Sequence, residues 1–212
     1  MIKTSIQNLS LFKLYDEITQ RTYYGGDQEW YTKKWQRLSG CGPTAVSNIV
    51  HYINLRQLSS GLDDLPITKS DFLSLMQEVW QYVTPKLGGI SSTKMLYDGV
   101  LAYAKSKNKT VNIDLIDIPK NRLQRPEIQQ VLSFLNKALR DDLPIAFLNL
   151  NKGTEEILYS WHWVTITSLE YTEDGKSSFA DILDEGIIKK IDLLQWFLTT
   201  TLGGGFVSFK WS

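Results

Sequence analysis

The chain carries one cysteine, Cys41, and two histidines, His51 and His162. Cys41 stands between Gly40 and Gly42 in SGCGPTAVSNIVHYI, just ahead of a helical pattern. The reactive form of cysteine is the thiolate, and the free N–H groups and dipole at a helix start stabilise that anion. Pro43 suits a first helical turn, and the flanking glycines permit tight backbone turns and close approach of a substrate. A lone cysteine also packs well as a small apolar residue, so its partners decide between the two readings. His51 is ten residues further along the same helix, about 15 Å along its axis, too far to reach the sulfur; it reads as a helix-surface histidine. His162 opens the strand pattern HWVTITSLEY between two tryptophans, where a rigid mount and apolar neighbours suit a general base.

A base of this kind needs an acceptor on its other ring nitrogen. The next strand pattern, SFADILD, offers Asp181 and Asp184 within one hairpin of His162. Three residues apart on a strand they face opposite sides, so only one points inward. The developing oxyanion would be met by the Cys41 backbone N–H and a side-chain amide, either Gln36, five residues upstream, or Gln28 in GGDQEW. One cysteine and two distant histidines do not make a zinc ligand set, so neither metal nor cofactor is expected.

These residues need a helix for the thiol and strands for the base and its acceptor. From Gly42, Ala45, Val46, Ile49, Val50 and Ile53 recur at helical steps. A second helix is expected over 71–83 with Ser70 as its N-cap, a third over 92–107 and a fourth over about 126–140. VNIDLIDI alternates as a strand whose phase slips near Ile116, and PIAFLNL reads as a buried strand. WVTITSLEY, SFADILD and IIKKIDL form consecutive hairpins, a short helix follows at 193–199, and FVSFKW closes as a strand. The opening to about Trp35 reads as a polar, aromatic loop draped on the body. The expected class is α+β in a single domain over 1–212, mainly helical to about residue 140 and mainly β from about 141.

Lysine plus arginine and aspartate plus glutamate both number 23 in 212 residues, with no basic arm. This balance argues against nucleic acid or an anionic membrane as the main partner. No run approaches the roughly 18 apolar residues of a membrane span, and the N-terminus lacks the apolar core of a secretory signal. With no possible internal disulfide, a reducing cytoplasm is the expected compartment.

The order GCGPTA opening a helix, then HWVTIT, then an aspartate before a glycine turn, resembles the papain-like cysteine peptidases. The nearer match is the bacterial peptidase C39-like branch, related to bacteriocin-leader-processing peptidases. The resemblance implies a papain-like fold, with Cys41 on a helical lobe facing His162 and an aspartate on an antiparallel sheet lobe. It favours Asp184, in DEG, over Asp181. Family members usually place the oxyanion glutamine six residues before the cysteine, where this chain has Trp35 and Gln36 comes one step late. The implied activity is cleavage of a peptide or acyl substrate through a Cys-His-Asp triad and a covalent thioester. A non-catalytic binding or regulatory protein of the same fold, and an acyltransferase with the same triad, are the alternatives.

Overall fold

The structure is a computed structural model that describes residues 1–58 and 67–212. In chain order its elements are β1 (Ile2–Ser5), β2 (Lys13–Asp16), β3 (Arg21–Tyr24), α1 (Lys34–Ser39), α2 (Cys41–Leu58), β4 (Ile67–Thr68), α3 (Lys69–Trp80), α4 (Thr93–Ser106) and β5 (Val111–Ile118). There follow α5 (Ile128–Arg140), β6 (Ile145–Asn149), β7 (His162–Tyr171), β8 (Ser178–Asp184), β9 (Ile187–Asp192), α6 (Leu193–Thr199) and β10 (Gly204–Trp211). Among the described residues, seven strands form one antiparallel sheet in the order β5-β10-β6-β7-β8-β9, with β1 pairing the far end of β7. A smaller sheet, β3-β2-β4, lies apart from it. This is an α+β fold.

α2 is the central helix. Every residue from Gly42 to Ile53 is buried, not only the apolar stripe at 45, 46, 49, 50 and 53. One flank lies on the sheet, where Asn48 Nδ2 donates to Thr165 Oγ1 at 3.1 Å. Another is closed by the N-terminal segment, whose Phe12 ring stacks on Tyr52 at 5.1 Å. A helix enclosed on several sides can tolerate polar residues only if each is bonded. Ser47 accordingly donates to the Pro43 carbonyl and Asn48 to Thr165.

His51 differs from the sequence expectation: it is buried, with Nε2 3.0 Å from the Leu11 carbonyl and its ring edge-on to Phe72. The N-terminal segment covers the helix face on which the spacing had left it exposed. Burial lowers its pKa to about 4, against an upward pull from the Leu11 carbonyl. The neutral ring is the folded form, so the unfolded chain binds the extra proton between about pH 6.5 and 4, and His51 costs stability as pH falls through that window. Wild type should therefore lose stability faster than His51→Gln on acidification from pH 7 to 4.5. Parallel melting curves check this, and a constant gap between the two proteins counts against it.

The first 140 residues contribute more strand than expected. β1 joins the main sheet beside the expected strand β5, while β2, β3 and β4 form the small one. The opening is thus strand as well as loop; its strands are short and pair with distant partners, which local alternation does not reveal. The α3 N-cap is Thr68 rather than Ser70, in a capping box with Asp71. Ser92 caps α4. Among the described residues no helix is long and apolar enough to cross a membrane.

Candidate active site

Cys41 is the first residue of α2, half-buried and a free thiol. α1 ends just before it, and the Thr44 amide and hydroxyl both donate to the Gly40 carbonyl, at 2.9 and 2.8 Å. The glycines serve packing here rather than left-handed backbone, since neither has a positive φ. A Cβ on Gly40 would come within 2.5 Å of the Gln36 carbonyl and 2.6 Å of the Tyr31 ring, and one on Gly42 within 3.1 Å of Ile90. The sulfur is thereby held at the start of the helix, where backbone N–H groups lack intrahelical acceptors.

His162 is the first residue of β7, and its Nε2 lies 2.6 Å from Asp184 Oδ1 at the end of β8. Nδ1 is the ring nitrogen that Asp184 leaves free, and Cys41 lines the same cleft as the ring. Burial alone would lower the His162 pKa. Hydrogen bonds to Asp184 and Cys41 and the attraction of both outweigh it and push the value up to about 10. Burial likewise works to raise Asp184, but His162 and Lys189 hold its carboxyl below the usual range.

Strand register separates the two candidate aspartates. Asp184 shares a face with Ile182, whose cross-strand partner on β9 is Lys189. Asp181 lies on the other face opposite Lys190, and its carboxylate accepts from Ser168 Oγ at 2.5 Å. Asp184 therefore meets His162, and Asp181 does not.

The glutamines separate as well, against the expected order. Gln36 is buried on α1 and exchanges amide hydrogen bonds with Gln77 of α3, at 2.9 and 3.3 Å, facing away from the sulfur. Gln28 lines the cleft with Cys41 and His162. Its Nε2 donates to the Arg37 carbonyl at 2.8 Å, and its Oε1 is buried without a partner. The assignment of Gln36 is thus corrected. The short α1 turns residue 36 toward α3, whereas the loop after β3 brings residue 28 to the cleft. That loop is fixed by Gly26 N–H to Asn48 Oδ1 at 2.9 Å and Tyr24 N–H to the Gly186 carbonyl at 2.8 Å.

Cys41 borders two depressions. One, of about 330 Å³, holds His162 and Asp184 and is walled by Asp27, Glu29 and Glu185, with Thr44 and Asn48 from the Cys41 face of α2. Burial, then its acidic neighbours, raise the Asp27 pKa despite a hydrogen bond from the Glu29 amide. The other, of about 180 Å³, is lined mainly by Trp35, Leu38, Ile90, Leu148, Leu150 and Trp161. Gly88 and Gly89 also line it, with φ of 93° and 80°.

Sequence reasoning passed over Lys189, Tyr159 and Asn149. Asn149 Nδ2 donates to the Tyr159 carbonyl at 2.7 Å and its Oδ1 accepts from Trp196 Nε1 at 2.8 Å, tethering the loop that leads into His162. Lys189 could have been found from the hairpin itself, since a two-residue Glu185-Gly186 turn fixes which β9 residues return to the Asp184 face.

No protein-family model matches this chain, and no curated protein is significantly similar to it in sequence. A solved structure, UfSP from C. elegans, matches with a TM-score of 0.57 at 11% identity, over 100% of this chain and 34% of that one. The chain thus spans about a third of the length of the structure it matches. At that identity the likeness is one of fold alone, the α+β papain-like fold.

Proposed function

We propose that this chain is a cysteine peptidase, or an amide or thioester hydrolase, working through Cys41, His162 and Asp184. The observation that carries the reading is Cys41, at the start of a helix, sharing one cleft with His162, whose Nε2 lies 2.6 Å from Asp184 Oδ1. The Cys41 sulfur attacks the substrate carbonyl carbon, and imidazolium His162 protonates the leaving group from Nδ1 as the C–N or C–S bond breaks. Water, deprotonated by the same nitrogen, then splits the thioester and regenerates the thiol. Asp184 fixes the tautomer and stabilises the imidazolium. The Cys41 backbone N–H is the first oxyanion donor, and Gln28 can serve as the second if its amide turns from Arg37 toward the cleft. The substrate class is a peptide or an acyl group, in keeping with a polar and an apolar depression on either side of the sulfur. Acyl transfer differs only in the acceptor that takes the place of water. Assignment to the bacterial C39-like branch belongs to the same proposal, supported by GCGPTA and HWVTIT.

Thiol labelling tests the reading without a known substrate. Iodoacetamide should modify Cys41 below about pH 7, and His162→Ala should abolish that low-pH reaction. Labelling only near the free-thiol value of about 8.5, unchanged in the variant, would sink the proposal.

A further inference from the structure

Asp184 has two oxygens, and the triad uses one. Oδ1 takes His162, while Oδ2 lies 2.8 Å from Lys189 Nζ, whose side chain is only 15% exposed. The same ammonium donates to Glu185 Oε2 at 2.6 Å and sits 5.3 Å from the centroid of the Tyr159 ring. Tyr159 in turn stands edge-on to His162, at 5.9 Å and 84°. Lysine is usually a solvated point charge, and one with its stem folded down and its donors spent on two carboxylates and a ring has been given a fixed place. The hairpin explains how: Glu185 and Gly186 both have positive φ, and the tight turn pairs Asp184 with Ile187, so Lys189 returns on the Asp184 face.

We propose that Lys189 is a positioning residue of the reaction, holding the second oxygen of Asp184 so that the first stays on His162 Nε2. This rests on the triad reading. A carboxylate held at one oxygen can swing about its terminal torsion, which is broad and soft; held at both, it presents a single lone-pair direction to the imidazole. The groups facing the pair are His162 from β7, Tyr159 from the preceding loop, Cys41 from α2, Glu185 in the turn, and Asp27 from the N-terminal loop. With the protonated His162 ring, Lys189 balances this largely acidic surround.

Lys189→Met and Lys189→Arg test the role, with Lys189→Gln as a second neutral variant should the methionine protein fail to fold. The readout is the pH profile of iodoacetamide reaction at Cys41, accompanied by kcat and KM once a peptide or thioester substrate is in hand. The neutral variants should react about tenfold more slowly near pH 6, the usual scale for loss of an outer partner. Their acid limb should move to higher pH, because Asp184 without Lys189 takes up a proton more readily. KM should stay within about twofold, and Lys189→Arg should restore most of the rate. A folded neutral variant with the wild-type rate and acid limb overturns the proposal while leaving the triad intact. Wild-type protein with no His162-dependent reaction below pH 7 overturns both.

Discussion

Cys41→Ala is expected to reduce turnover of any peptide or thioester substrate by about 10⁴-fold or more, the scale seen when a triad nucleophile is removed. The loss should fall on kcat, since the sulfur contributes little to binding before attack. Asp184→Asn should cost nearly as much, about 10³- to 10⁴-fold, for a different reason. The carboxamide keeps the volume but no longer favours the protonated imidazole, and its NH₂ group opposes either His162 or the Lys189 ammonium. Because Cys41 is only partly buried at a helix end, its alanine variant should melt close to wild type. Steady-state kinetics with matched melting curves separate the cases: substantial residual turnover in Cys41→Ala would place the chemistry elsewhere.

The second large effect concerns stability. Trp196→Ala should destabilise the chain by about 3–5 kcal/mol, the usual range for emptying an aromatic core site. The indole is fully buried on α6, edge-on to Phe147 at 4.6 Å and to Phe206 at 5.8 Å, and its N–H satisfies Asn149. For a chain of this size that is roughly 2–4 °C of melting temperature per kcal/mol. Trp196→Phe refills most of the space but leaves Asn149 Oδ1 unbonded, a loss of about 1–3 kcal/mol. It should also lower activity, because Asn149 tethers the Tyr159–Trp161 loop that leads into His162. Scanning calorimetry and kinetics on the two variants check the pair. A Trp196→Phe protein matching wild type in both would show that the tether does not matter.

The parts of this molecule legible in its sequence were those that local chemistry dictates. Gly-Cys-Gly-Pro marks a helix start, strand-forming runs between turns mark β7 and β8, and the parity of residues 181 and 184 on one strand predicts that a single aspartate faces inward. What escaped is set by partners distant in the chain. The orientation of Gln36 depends on how α1 turns into α2 and on Gln77 forty-one residues away. His51 is buried because Leu11 and Phe12 fold over it. β1 finds its place only through β7. Lys189 was within reach, because the DEG turn fixes the register that brings it back to Asp184.

That long-range pairing has a consequence for how the protein is made. β7, β8 and β9 can zip together as they emerge, each beside the strand before it. Among the described residues β5 has no partner in the sheet other than β10, and β6 is flanked on that side by the same strand. Val111 must wait for Trp211. During synthesis β5 and one edge of β6 therefore stay open until β10 is available, and pairing at such separation is slow. An unpaired edge is a template for the wrong neighbour. The nascent chain can build the His162–Asp184 hairpin early, yet it acquires a closed sheet beneath it only once β10 slides into the gap.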